Sequence, residues 1–313
     1  MVKLYSNFIV IFTEEDMKYI FIVNCTAGSR DAMQRLEKSL SLCKNAPEYE
    51  IYTTTSHKDA TRYVEAYCNN HKDEEICFVS CGGDGTINEV ATALVGKIGK
   101  YLGVMPFGSG NDFVKYYKGL DFTSAEKLFA GKPEKIDILK INDNYCINMC
   151  GVGFEAMVGS IANKAKEKGA KNPYGVGLRK AIFKGRFNDI KIVVDGEQIT
   201  KGKMIICTLA NCKYAGGKYM CSPRANNKDG LIDVVLFHSM SLLRFLTCIK
   251  KYERGEHLEY NGIKKKRVYK QGTHIEVSSK KPIDICIDGE IVSGEKFDVS
   301  IIPNAINLIV PEA

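Results

Sequence analysis

Three glycine-containing turns, each soon after a short and largely apolar run, constrain the fold of this 313-residue chain most strongly. Each run predicts a buried strand, and the runs occupy residues 19–23, 76–80 and 101–105. The turns that follow them lie at residues 24–28, 82–86 and 108–112. In an open parallel sheet, ligands bind at the carboxyl ends of the strands, where helix N-termini present free N–H groups to phosphate. Three such turns on one rim predict a polyphosphate site.

The segments between these turns complete an α/β pattern. Apolar residues spaced three to four apart predict helices at residues 32–42 and 58–69 and a third helix from about Thr86, and residues 50–54 predict one more strand. Strands that alternate with helices of about a dozen residues are typical of a doubly wound parallel sheet. We therefore expect an α/β domain over residues 1–140.

The second half of the chain has a different pattern, with short β-rich segments separated by turns. Strands are predicted at residues 145–149, 190–194, 204–209, 232–237, 274–278, 283–287 and 297–302, and helices at residues 156–168 and 241–253. This pattern predicts an antiparallel β-sandwich domain over residues 141–301, with the active site in the cleft between the two domains. Residues 302–313 are expected to pack back on the first domain.

The motifs that the sequence lacks, and its composition, exclude several classes of protein. The sequence contains no G-x-x-x-x-G-K-[ST] or opening G-x-G-x-x-G motif, and neither H-R-D nor D-F-G, which argues against Walker-type NTPases, typical dehydrogenases and protein kinases. The twelve cysteines form no C-x-x-C pair and the five histidines no H-x-x-x-H pair. Buried reduced cysteines are therefore expected rather than a zinc site or a disulfide scaffold. No apolar run approaches the roughly 20 residues of a membrane-spanning helix, so a cytoplasmic protein is expected.

Much of the excess positive charge is concentrated in two stretches, although the net charge is only +7. Residues 162–187 carry one acid and these cations: Lys164, Lys166, Lys168, Lys171, Arg179, Lys180, Lys184 and Arg186. A second basic run occupies residues 264–267. Such stretches are either a solvated face or a surface for anionic partners, and charge alone does not distinguish lipid headgroups from nucleic acid.

The segment from Gly82 to Glu89, followed by residues 107–112, resembles the diacylglycerol kinase catalytic family, specifically the bacterial diacylglycerol kinase-like lipid kinases related to sphingosine and ceramide kinases. The matching positions continue through the turn at residues 24–28, Thr54, Asp137, residues 228–234 and residues 288–290. The resemblance implies transfer of the γ-phosphate of ATP to a lipid hydroxyl, that of diacylglycerol or a related neutral lipid. It places the active site in a cleft between a nucleotide domain and a β-rich domain.

The same resemblance implies roles for individual residues. Those expected to bind ATP are Asn24, Cys25, Thr26, Ala27, Gly28, Thr54, Gly82, Gly83, Asp84, Gly85, Thr86, Ile87, Asn88, Glu89 and Ser109. Asp84 is expected to hold the catalytic Mg²⁺, because a carboxylate beside a triphosphate is repelled unless a cation lies between them. A second, structural Mg²⁺ is implied with direct oxygen ligands from Asn226, Asp229 and Leu231. Asp112 and Asp137 are expected to reach this second ion through water.

The general base is expected in the segment Asp288-Gly-Glu290. A lipid hydroxyl is a weak nucleophile, and a carboxylate within hydrogen-bond reach can take its proton as attack proceeds. The pattern does not decide between the two acids. Glu290 is preferred as the proton acceptor, with Asp288 orienting it or the metal. No motif identifies the lipid.

Two other functions stay open from the sequence. An NAD kinase would share the G-G-D-G turn, and a non-catalytic membrane- or nucleic-acid-binding relative would use the basic stretches alone. The acids Asp84, Asp229, Asp288 and Glu290 are all present, which favours a lipid kinase.

We therefore expect a peripheral enzyme at the inner face of the membrane that uses ATP and Mg²⁺ and binds no nucleic acid. The basic stretch would contact anionic lipid, Ile182 and Phe183 would reach into the interface, and a homodimer stays open.

Overall fold

The computed structural model describes residues 17–184 and 189–313. The helices are α1 (Ala32–Ser41), α2 (Asp59–Asn70), α3 (Asp84–Leu94), α4 (Ala125–Phe129), α5 (Phe154–Glu167), α6 (Pro173–Lys184) and α7 (Leu242–Glu253). The strands are β1 (Lys18–Val23), β2 (Tyr49–Thr53), β3 (Ile76–Gly82), β4 (Lys100–Pro106), β5 (Lys132–Ile141), β6 (Asn144–Cys146), β7 (Met149–Gly153), β8 (Ile190–Val194), β9 (Glu197–Gln198), β10 (Met204–Ala210), β11 (Ile232–His238), β12 (Arg267–Gly272), β13 (His274–Ile287) and β14 (Glu290–Val310).

The parallel part of the sheet has the strand order β2, β1, β3, β4. Side chains of a strand point alternately to its two faces. Ile20 and Ile22 of β1 therefore pack with α2 and α3 on one face, whereas Phe21 and Val23 pack with α1 and α4 on the other. Because both faces of β1, β3 and β4 are buried, these three strands appear in the sequence as largely apolar runs, whereas β2 lies at the exposed edge. The doubly wound prediction is confirmed.

The C-terminal strand β14 joins the parallel part to the rest of the sheet. Asn307 and Leu308 pair in parallel with Tyr101 and Leu102 of β4, while the first half of β14 pairs antiparallel with β13. From β13 the sheet continues antiparallel through β7, β10 and β11 to β12. One sheet thus runs through both halves of the described chain, and the division at residue 140 stays a prediction.

The second half buries its strands on two sides. Val152, Leu236 and Val299 belong to a core enclosed by the curled sheet. The outer face of β10 and β11 is covered by α5, α6 and α7, where the rings of Phe154 and Phe245 pack edge to face with their centroids 4.9 Å apart. The predicted α/β fold with a β-rich second part is confirmed.

The strand predicted at residues 145–149 is wrong. The chain instead forms β6 and β7 and breaks between them, because the N–H groups of Ile147 and Asn148 donate to the side chain of Asp288. The predicted start of the third helix near Thr86 is also late, since α3 begins at Asp84 after Gly83.

Helix α6 was not predicted, because its glycines are typical of a break in a helix. In the structure Gly177 lies where a Cβ would come within 2.6 Å of the carbonyl oxygen of Val158, so it allows α5 and α6 to pack closely. In the described ranges, no helix combines the length and apolar character needed to cross a membrane.

The cysteines serve as small core residues. Nine of the twelve are buried, and Cys25, Cys43 and Cys286 are partly buried. Burial raises the pKa of the Cys248 thiol to about 12. A thiol with so high a pKa stays protonated and packs as an apolar group, so the expected core role is confirmed.

Candidate active site

The three glycine turns meet at the carboxyl edge of the parallel strands, in backbone contact with one another. A Cβ on Gly28, whose φ is +55°, would lie 2.2 Å from the carbonyl oxygen of Phe107. A Cβ on Gly108 would lie 2.4 Å from the Cα of Gly83. Only glycine permits such an approach, so the composition of the turns sets the shape of this rim.

Polar contacts tie the first turn to helix α3. The Asn24 side-chain oxygen accepts from the Thr26 N–H at 3.0 Å and from its hydroxyl at 2.7 Å, while the Asn24 amide donates to the Thr86 hydroxyl at 3.1 Å. No atom lies within 4 Å of the Cβ position of Gly85, in the first turn of α3. The first N–H groups of a helix have no intrahelical partner, so this open space is suited to an anion.

The other residues expected around ATP lie in different surroundings. Thr54 donates its N–H to Val23 at 2.9 Å beside the first turn, and Ser109 is exposed on the rim. Ile87 is buried in the core, so its side chain does not face the rim. Asn88 bridges to the second half of the chain, because its amide donates to the Tyr145 carbonyl at 3.3 Å and its oxygen accepts from Ile147 at 3.3 Å.

Asp84 and Asp112 form a pair of carboxylates next to the rim. Asp84 accepts from the Phe113 N–H at 3.0 Å. Asp112 accepts from the Gly217 N–H at 2.9 Å and from the Lys115 ammonium at 2.7 Å. Burial, and then the negative charge of Asp112, raise the pKa of Asp84. A cation bound beside Asp84 would relieve both effects.

The carboxylate of Asp288 is held by backbone donors from the break between β6 and β7 and from the first residue of β7. It accepts from Ile147 at 2.7 Å, from Asn148 at 3.2 Å and from Met149 at 3.0 Å. Asp288 itself has a φ of +45°, in the left-handed region. Burial raises the pKa of Asp288 to about 6 although these hydrogen bonds favour the charged form.

Glu290 lies in a different environment from Asp288. The two nitrogens of His57 lie 3.6 Å from a Glu89 oxygen and 3.5 Å from a Glu290 oxygen, so one imidazole spans both acids. The side chain of Glu290 is 46% exposed. His57 was not identified from the sequence, because it belongs to no motif and only the fold places it between two acids.

A cavity of about 170 Å³ lies beside the carboxylates of Asp84, Asp112 and Asp288. Asp84, Asp112 and Asp288 line part of its wall. Most of the remaining wall is apolar and comes from β7, β10 and helices α5–α7, with Met149, Phe154, Val158, Leu178, Ile206 and Ile249. An apolar wall next to a few polar groups is typical of a pocket for an amphiphilic molecule.

Glu155 is a further acid of this cavity that the motifs did not indicate. Its carboxylate accepts from the Thr208 hydroxyl at 2.9 Å and from the Tyr252 hydroxyl. It lies over Gly151, where a Cβ would come within 2.8 Å of the Glu155 side chain. Along β7, Gly151 is two residues from Met149, whose N–H donates to Asp288. Two residues of a strand span about 7 Å. Burial raises the pKa of Glu155 to about 7.

The residues expected around the structural Mg²⁺ divide between two places. Asp229 accepts from the Leu231 N–H at 3.0 Å, and the Asp137 oxygens accept from Gly230 and Asn304, each at 2.8 Å. Asp112 lies instead with Asp84, and the side-chain oxygen of Asn226 accepts from the Tyr116 hydroxyl at 2.9 Å. Within residues 17–184 and 189–313, no three His, Cys, Asp or Glu side chains cluster as metal ligands.

Two family comparisons cover nearly all of the described chain. Residues 18–141 match the diacylglycerol kinase catalytic domain, and residues 148–310 match the YegS C-terminal NAD kinase beta sandwich-like domain. The chain belongs to this family of lipid kinases, and the resemblance seen in its motifs is confirmed.

Individual relatives are similar along most of their length. A protein named "Probable lipid kinase YegS-like" from Enterobacter sp. (strain 638) is 28% identical over 301 residues, which is 93% of this chain and 95% of the relative. A protein named "Diacylglycerol kinase" from Staphylococcus aureus (strain bovine RF122 / ET3-1) is 27% identical, with 86% and 84% covered. A crystal structure of a diacylglycerol kinase from Bacillus anthracis str. Sterne has the same fold, with a TM-score of 0.70, 20% identity, and 94% and 96% covered.

We expect Gly108→Ala to lower the free energy of unfolding by about 1–3 kcal/mol, because the added methyl group meets the backbone of Gly83 and the turns must separate. Gly85→Ala is the matched control, since its Cβ meets no atom within 4 Å and alanine is favoured in a helix. Denaturant unfolding of both variants measures the difference. Equal stability of the two would contradict the proposed packing of the turns.

Glu155→Gln should change stability in a pH-dependent way. The folded chain holds a proton on Glu155 between pH 4.5, its ordinary pKa, and about 7, so the contribution of this carboxyl to stability falls as the pH rises through that window. The variant should therefore gain about 1–3 kcal/mol relative to wild type between pH 5 and pH 8. Denaturation at both pH values tests this, with the exposed Glu65→Gln as control; a difference independent of pH would disprove it.

Proposed function

We propose that the protein is an ATP-dependent lipid kinase that transfers the γ-phosphate of ATP to a hydroxyl of diacylglycerol or a related neutral lipid. The observation that carries this proposal is the position of Asp84 and Asp288 on the wall of one apolar cavity, with Asp84 starting the helix whose glycine rim is open to an anion. Phosphate chemistry and an apolar acceptor would thus meet at the same carboxylates.

The nucleotide would bind along the rim formed by the three glycine turns. Gly85 leaves room above the first turn of α3, and Thr26 and Ser109 offer exposed hydroxyl groups there. Asp84 and Asp112 fit a Mg²⁺ ion that is shared with phosphate oxygens, because this ion commonly uses one or two carboxylates together with substrate and water. When bound, Mg²⁺ would neutralise charge that develops on the phosphates.

We assign the general base to Asp288 in preference to Glu290. Asp288 lines the cavity, and its carboxylate is oriented by three backbone N–H groups, whereas Glu290 is half exposed beside His57. In the reaction the acceptor oxygen forms a bond to the γ-phosphorus while the bond to the β–γ bridging oxygen breaks, which releases ADP. The hydroxyl proton passes to Asp288, whose raised pKa suits proton acceptance near neutral pH.

The acceptor would place its apolar part in the cavity. Its walls of Met149, Phe154 and Leu178 suit hydrocarbon chains and offer little to a nicotinamide dinucleotide, which favours a lipid kinase over an NAD kinase. Glu155 lines the same cavity as Asp288 and lies over Gly151, two residues from Met149 in β7, so it would contact polar atoms near the reacting hydroxyl.

A peripheral position on the cytoplasmic face of the membrane follows from such a substrate. Lys164, Lys168, Lys171, Arg179 and Lys180 of the basic stretch are exposed on or beside α5 and α6, and none of them has an ion-pair partner in the described part of the chain. Cations in this position would attract an anionic leaflet. The side chains of Lys166, Phe183 and Lys184, and all of Arg186, lie outside the described residues, and Ile182 is partly buried.

A structural Mg²⁺ is proposed at Asp229, with the carbonyl oxygens of Asn226 and Leu231. Only one oxygen of Asp229 accepts a hydrogen bond within the described residues. Burial, and the nearby charge of Asp137, raise the pKa of Asp229. A hard cation with oxygen ligands would offset this accumulation of negative charge and join the turn at residues 226–231 to its neighbours.

Asp288→Asn should lower kcat by about 10²- to 10⁴-fold without unfolding the chain, and Glu290→Gln should lower it much less. For the wild type, kcat/KM should rise as the pH increases through about 6, because the base must be ionised. The assay uses labelled ATP with dihexanoylglycerol, ceramide, sphingosine and NAD as acceptors, and circular dichroism checks folding. A larger loss for Glu290→Gln would make Glu290 the base, and phosphorylation of NAD alone would refute the function.

Asp229→Ala should remove a Mg²⁺-dependent part of the thermal stability. A ligand present at 100 times its Kd stabilises the folded state by about 2.7 kcal/mol, so wild type should melt at a higher temperature in Mg²⁺ than in EDTA. The variant should melt at the same temperature in both. Asp143→Ala changes another exposed turn aspartate and should behave as wild type. If wild type melts at the same temperature in Mg²⁺ and in EDTA, the structural ion is ruled out.

A further inference from the structure

We propose that the first turn of α7 is the segment that inserts into the membrane, as a docking surface for an anionic bilayer; this rests on the proposed lipid kinase function. The docking surface consists of Leu242, Leu243 and Leu246, with Lys203, Arg244 and Lys266 around them. It is separate from the basic stretch of residues 162–187, and Lys266 belongs to the second basic run at residues 264–267.

Its apolar part is unusually exposed. Leu242, Leu243 and Leu246 are 41%, 78% and 40% exposed. Of the eight large apolar side chains that are strongly exposed in the described chain, these three occur within five residues. Because neighbouring positions of one helical turn carry them, they form one patch, and exposed apolar patches mark contact sites.

The rim of the docking surface is positive. Lys203, Arg244 and Lys266 line a shallow depression together with Met240. None of the three cations forms an ion pair with any residue that the structure describes. The exposed Lys264 and Lys265 continue this charge. Leucine side chains surrounded by unpaired cations are the composition of a helix that lies in an anionic membrane interface.

The same helix leads from the docking surface to the cavity. Leu242, Leu246 and Ile249 are spaced at i, i+4 and i+7 and therefore share one face of α7. Ile249 and Tyr252, in the following turn, line the cavity. The apolar stripe from Leu242 to Ile249 is about 10 Å long, so hydrocarbon chains could pass from a bilayer to the carboxylates without crossing water.

A membrane fits this surface better than a second copy of the chain does. A symmetric dimer would bring the same patch of each subunit together, and Lys203, Arg244 and Lys266 would face their own counterparts. A single helical turn also offers far less than the roughly 800 Å² per partner of a stable protein interface. Insertion into a fluid bilayer needs no matching partner surface.

The chain contains no tryptophan, so one introduced tryptophan reports its own surroundings. Leu243→Trp is compared with Leu42→Trp, at a leucine that is 70% exposed on the other half of the chain. Vesicles contain phosphatidylcholine and phosphatidylglycerol at about 3:1, a composition with negative surface charge, with or without brominated acyl chains. We expect emission from Trp at position 243 to shift to shorter wavelength and to be quenched by bromine, and emission from position 42 to stay unchanged.

A second pair of variants measures affinity. Leu243→Ser with Leu246→Ser should weaken sedimentation with these vesicles by about 10-fold, since fully burying one leucine contributes more than 1.4 kcal/mol. Leu42→Ser with Ile98→Ser removes two exposed apolar side chains elsewhere and should leave binding unchanged. Binding of wild type should fall with salt, and be weak on phosphatidylcholine alone.

Three results would overturn the inference. Sedimentation with vesicles while position 243 stays in water would place the contact elsewhere, such as on α5 and α6. A blue shift without vesicles that grows with protein concentration would make the patch a self-association surface, and absence of any vesicle binding would remove the docking surface. The lipid kinase function is judged separately, because wild type that phosphorylates dihexanoylglycerol in solution keeps that function whatever position 243 reports.

Discussion

The carboxylate of Asp288 is bound by the backbone N–H groups of Ile147, Asn148 and Met149, and much of the candidate site depends on this interaction. Ile147 and Asn148 are free to donate because the chain leaves the sheet between β6 and β7, and Met149 is the first residue of β7. The same break lets Asn88 of α3 bond to Ile147, so the glycine rim and the cavity are joined at one place. One partly buried acid, Asp288, therefore lies where the two halves of the chain meet.

Burying acids beside an apolar cavity has an electrostatic cost. Burial raises the pKa of Asp84, Asp288 and Glu155, because each charged form is poorly solvated there. Backbone donors, hydroxyl groups and the Lys115 ammonium offset only part of this cost. Carboxylates in such surroundings favour binding of a cation and acceptance of a proton from a substrate. Phosphoryl transfer to a hydroxyl requires both.

Predictions from the sequence succeeded where the physical cause is local. The glycines of the turns at residues 24–28, 82–86 and 108–112 are required by close backbone approach, and the apolar strands of the parallel sheet are required by burial on two faces. They failed where a distant group decides the conformation. Residues 145–149 have the composition of a strand, yet Asp288, about 140 positions away, takes the N–H groups that the strand would have used.

The sequence by itself determined the α/β pattern, the glycine turns and the family, because each can be recognised from short segments of consecutive residues. The tertiary structure alone decided which acids meet. It separates Asp288, on the cavity wall, from Glu290, which lies with His57, although the two acids are two residues apart. It also brings Glu155, Thr208 and Tyr252 together from three separate elements. Side-chain surroundings depend on contacts between distant segments, and those contacts exist only after the sheet has assembled.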